Sequence, residues 1–95
     1  MCTYTTERTQ IAGSGKGPGQ WLRLRTATVY YDHPVHAMAE HTLNIDLADP
    51  ERGPAARVAL ELTAESALAL AQAITDTLAS VPAQLSGVDR ARLQS

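Results

Sequence analysis

Phenylalanine is missing from this 95-residue chain, tryptophan occurs once and tyrosine three times, so aromatics make up only 4% of it. Its core has to be built from Leu, Ile, Val and Ala, which bury less area per residue than aromatics do. A chain this short is already near the lower limit for a self-sufficient core, so a homo-oligomer is expected. There is one cysteine, Cys2. It can form no internal disulfide, which agrees with a reducing compartment. No apolar run approaches the ~20 residues that cross a bilayer, and the first eight residues hold no apolar signal segment. A cytoplasmic protein without a membrane partner is expected. A basic excess is also lacking. Eight Lys and Arg against ten Asp and Glu give a net charge of −2. That provides no field for a phosphate backbone and argues against nucleic acid.

What is present is ordinary globular content, 44% hydrophobic, arranged in two periods. Residues 3–11 are rich in Thr and Tyr and read as a strand. Residues 12–19 hold four of the six glycines and read as a loop. Residues 20–31 read as a second strand, apolar on both sides, a further hint of a second copy. Leu43, Ile45 and Leu47 alternate with polar residues in a third strand. Residues 49–54 form a turn, and Ala56, Val58, Leu60 and Leu62 share one face of a fourth strand. Facing Leu43 with Leu60 and Ile45 with Val58 keeps the last two strands in phase.

The period then lengthens. Thr63 suits a helix N-cap, and Glu65 sits where the helix dipole favours it. Ala67, Leu70, Ala71, Ile74, Leu78 and Val81 form one helical stripe, expected to be core, and Pro82 ends it. Leu68 lies off the stripe as an interface candidate. The expected fold is α+β: a four-stranded antiparallel meander with one C-terminal helix packed on a face. Residues 1–82 make the single domain and 83–95 a polar tail.

The chemistry is concentrated in one stretch. His33, His36 and His41 are all the histidines of the chain, flanked by Asp32 and Glu40. Imidazole is the commonest metal ligand and titrates near neutral pH. A meander puts the chain start, the end of strand 2 and the start of strand 3 at one end of the sheet, so Cys2 is expected beside the histidines. Three imidazoles with an open position suit catalytic Zn or a non-haem metal such as Fe; the Cys2 thiolate would close the set for a structural role. Asp32 and Glu40 are placed to orient ligands. The competing reading is a solvated loop that happens to contain histidines, in a non-catalytic binding or assembly module. With Met1 removed, Cys2 would also carry a free amine and is a candidate nucleophile; the plain alternative is an ordinary terminal residue.

Gly13-Ser14-Gly15-Lys16-Gly17 looks like a phosphate loop but fails its spacing: Gln10 stands where the first Gly belongs and Gly17 replaces the hydroxyl residue. A hairpin loop that holds an anion weakly through Lys16 and backbone N–H groups is the remaining option. A small-molecule ligand is compatible with all of this, but no substrate or reaction is indicated.

The Met-Cys-Thr-Tyr start, Gly-Ser-Gly-Lys-Gly and the Asp-His-Pro-Val-His run of residues 32–36 together resemble a family of short uncharacterised actinobacterial proteins. The resemblance covers about residues 1–80. It implies a bacterial cytoplasmic setting and assigns no catalytic residue.

Overall fold

The computed structural model describes residues 5–32 and 41–93, with the side chain of Arg90 left aside. Strands β1 (Glu7–Gly17), β2 (Gln20–Asp32), β3 (Thr42–Ala48) and β4 (Arg57–Leu62) precede helices α1 (Ala64–Ser80), α2 (Ala83–Ser86) and α3 (Arg90–Leu93). The sheet order is β1-β2-β3-β4, with every neighbour antiparallel. This is the expected α+β meander followed by a long helix. The chain divides into two compact units, the sheet through Thr63 and the helical segment from Ala64 onward.

Within the sheet, one face is built from cross-strand rows of three. Tyr31, Leu43 and Leu62 form one row, Val29, Ile45 and Leu60 the next, and Ala27, Leu47 and Val58 the third. The β3–β4 register is therefore two residues away from the expected one. A two-residue slide preserves the face of every side chain, so hydrophobic alternation alone does not distinguish the two registers. The turn between them does: residues 50–52 coil into a 3-10 helix and lengthen the connection.

The glycine segment is not a loop. β1 runs unbroken in pairing through Ser14, Gly15, Lys16 and Gly17, and the reversal uses only residues 18 and 19, with Gly19 at φ 84°. The glycines serve the strand across from them. A Cβ on Gly15 would lie 2.8 Å from Leu24 Cδ1 and 3.4 Å from Val58 Cγ2, and one on Gly17 would lie 3.2 Å from Leu22 Cδ1. Leu22 and Leu24 are buried in the space the missing side chains leave. The nearness of Gly15 to Val58 also shows that the sheet curls, bringing β1 toward β4.

A β-bulge accounts for the two apolar sides of β2. Between the pairs Gln10–Thr26 and Gly13–Leu24, β1 spends two residues, Ile11 and Ala12, against Arg25 alone. Such an insertion bends the ladder. The buried side of β2 changes there: Leu22 and Leu24 are buried before it, Ala27 after it. A single chain thus uses both sides of the strand, and this feature no longer argues for a second copy. Arg23 and Arg25 are largely exposed but hold the β3–β4 connection. Arg25 Nη1 lies 3.0 Å from Glu51 Oε2, and Arg23 Nε lies 3.8 Å from the fully buried carboxylate of Asp49. Asp49 also caps the 3-10 turn by accepting the Glu51 N–H at 3.2 Å.

In the helical unit, α1 starts directly after Thr63 and ends before Pro82, as expected. Its stripe is not core in the sense expected, since α1 has no buried residue. Leu70 is 40% and Ile74 53% exposed, and Leu68, off the stripe, is 74% exposed. The polar tail is not featureless: α2 ends at Gly87 in a left-handed conformation, and Leu78, Val81, Val88 and Leu93 line one small hollow.

Candidate functional site

The meander brings Asp32 and Thr42 opposite each other at one end of the sheet, with His41 next in the chain. His41 stacks on Tyr31, ring centroids 5.8 Å apart and planes 14° from parallel. That contact continues the apolar row of Tyr31, Leu43 and Leu62. His41 is therefore both a neighbour of Asp32 and a cover for the edge of the apolar face.

On the opposite face the side chains are polar and partly buried. Thr42 is fully buried and Asn44 6% exposed. Thr42 Oγ1 donates to Asn44 Oδ1 at 2.7 Å. Asn44 is the cross-strand partner of Tyr30, whose hydroxyl donates to Asp46 Oδ2 at 3.3 Å. The Tyr30 donation thus ends on a carboxylate. Burial pushes the Tyr30 phenol above its usual pKa, and the negative charge and hydrogen bond of Asp46 push it further; Asn44 and Arg57 act the other way. Neutral Tyr30 is what the network needs, because only the protonated phenol donates to Asp46.

The expected site residues divide as follows. Asp32 and His41 lie together at the expected end of the sheet. Cys2, His33, His36 and Glu40 lie outside the described residues. Lys16 is at the other end, in β1 opposite Trp21. Its backbone belongs to a ladder, which removes the loop from which an anion-binding nest was expected. Among the described residues, no group of three or more His, Cys, Asp and Glu side chains is placed to hold a metal. Thr42, Asn44, Asp46 and Tyr30 are the site residues that the sequence reading missed. Their signal was available: Thr42, Asn44 and Asp46 are the polar half of the alternation whose apolar half, Leu43, Ile45 and Leu47, defines β3. Half of a period-two pattern can line a buried polar row as readily as it can face water.

No helix among the described residues is long and apolar enough to cross a membrane. Neither the curated proteins nor the solved structures provide a match to the chain. A family match is found over residues 1–87, which takes in the sheet, the histidine segment and α1, and the chain accordingly belongs to DUF6295, a family of unknown function.

Proposed function

We propose that the protein is a small metal-binding protein whose site lies at the Asp32–His41 end of the sheet, with His33, His36, His41 and Cys2 as ligands and Asp32 and Glu40 orienting them. The observation that carries this reading is the pairing of Asp32 with Thr42, which closes the two ends of the histidine segment onto each other. His33, His36 and His41 fall within nine residues of sequence, which suits a three-histidine centre. The first strand starts at the same end, with Glu7 opposite Val29. Zn or Fe is the metal class that suits such a donor set. A metalloenzyme is included in the proposal, as an open position beside three imidazoles would admit a small-molecule substrate. A bacterial cytoplasm is its setting, in line with the lone cysteine.

Elemental analysis of untagged protein tests the reading. About one transition metal per chain is expected, lost in the His33→Ala/His36→Ala variant. Cys2 should resist alkylation until the metal is stripped. Metal-free protein with a normal fold and full stability would overturn the proposal.

A second reading, an assembly module without metal, is favoured by the exposed Leu70 and Ile74 on one stripe of α1 and by the exposed Leu68 off it. Those side chains suit the face of a partner copy better than water.

A further inference from the structure

The polar face of the sheet carries a second feature, separate from the histidine end. Arg8 stands opposite Thr28 and, through it, Asp46; Thr26 stands opposite Ala48 and, through it, Arg57. Directly opposed residues share a face, and Thr26 and Thr28 are two apart on one strand, so both arginines rise from the same side. They come from the first and last strands, three interstrand spacings across and two residues along, or roughly 16 Å apart along the sheet. Between them is a groove of about 380 Å³, floored by Thr26, Thr28 and Ala48 and walled by the Pro50–Pro54 connection. That is within the size range of small-ligand sites.

The charges in this groove are unbalanced. Arg23 and Arg25, on the other side of β2, each have a carboxylate partner. Arg8 and Arg57 have none among the described residues. Thr26 donates to the Ala48 carbonyl at a long 3.4 Å, while the Thr28 hydroxyl has no hydrogen-bond partner among the described residues. Ala48 adds no bulk to the floor. Two arginines lining one groove over a hydroxyl-bearing floor form a donor set for a compact oxyanion. We propose that this groove binds a small oxyanion, the phosphate or carboxylate group of a small molecule, held between Arg8 and Arg57 with Thr28 donating from below. Asp46 sets the boundary. Its carboxylate, opposite Thr28 and holding the Tyr30 hydroxyl, repels an anion on the β3 side of Thr28 and leaves it the β1 side and the Thr26–Ala48 floor.

The proposal does not depend on the metal reading, and its test keeps the two apart. Inorganic phosphate and succinate are titrated separately into the full chain at low salt and followed by backbone amide NMR. Saturable shifts at Thr26, Thr28 and Arg57 are expected, and the tighter of the two probes identifies the headgroup. Arg8→Gln and Arg57→Gln should each weaken binding about tenfold, the loss of one charge-assisted pair. Both positions are exposed, so unchanged spectra of the free variants will confirm their fold. Asp46→Asn should tighten binding, and Lys16→Gln, at the far end, should leave it alone. The His33→Ala/His36→Ala protein should bind as the parent does. Shifts that do not saturate, or that persist in the Arg8→Gln/Arg57→Gln protein, would overturn the proposal.

Discussion

Alanine at Gly15 provides a sharp test of how the hairpin is built. The added Cβ would lie 2.8 Å from Leu24 Cδ1, closer than carbon atoms approach, and 3.4 Å from Val58 Cγ2. Leu24 is only 4% exposed, so its methyl has little room to retreat. Overpacking of this kind costs about 1–3 kcal/mol. Replacing glycine also removes freedom from the unfolded chain, which returns about 0.4–1 kcal/mol. The net for Gly15→Ala is a loss of roughly 1 kcal/mol. Gly13→Ala is the internal control, because a Cβ there meets nothing within 4 Å and Gly13 has no left-handed φ. It keeps the entropic gain, about 0.5 kcal/mol, without the clash. Gly17→Ala, at 3.2 Å from Leu22 Cδ1, should fall between them. The gap between the outer two is about 1.5 kcal/mol, or roughly 6–12 °C in Tm for a domain this small. Urea denaturation with a shared m-value, checked by thermal melts, would measure it. Equal stability of the Gly13 and Gly15 variants would refute the reasoning, since a free loop treats the two positions alike.

Ultraviolet titration should find Tyr30 ionising above the ordinary 10.0, and Asp46→Asn should bring it down, because Asp46 supplies both charge and acceptor. The folded value being the higher one, this contribution to stability is complete below pH 10 and declines as pH rises through the folded pKa. Thr42→Val, nearly the same shape, removes the donor to Asn44 Oδ1 in a fully buried place and should cost about 1–3 kcal/mol in denaturant melts. Light scattering at micromolar concentration should give at least twice the 10.2 kDa chain mass, falling toward the monomer in Leu68→Glu/Ile74→Glu; a parent already monomeric would remove the assembly reading.

The sheet was legible because alternation is strong in β3 and β4, and antiparallel neighbours follow from short connections. Helix α1 was legible because the period changes at Thr63 and Pro82 stops it. The glycine strand was not legible. Glycine is normally a turn signal, and only the large side chains of Leu22 and Leu24 across the ladder make it a packing residue here. The bulge at Ile11 and Ala12 was hidden for a related reason: it is a mismatch in count between two strands, and neither strand alone reveals it. Of the site, residue types are legible in the sequence, and the meander predicts the meeting of Asp32 with Thr42, beside His41. The Tyr30–Asp46 contact beside the buried Thr42–Asn44 pair needed the register, because it crosses from β2 to β3.

The bulged, glycine-bearing β1 also bears on how copies of this protein meet. An open sheet leaves its outer strands with unpaired backbone groups, and a long flat one invites a neighbour to add a strand and then another. β1 is eleven residues long, yet it is kinked after Gln10, carries Arg8 and Lys16 near its two ends, and has three glycines in its second half. It is a poor template for runaway strand addition. Any association between copies of this chain should therefore avoid the β1 edge and resist growth into fibrils through it.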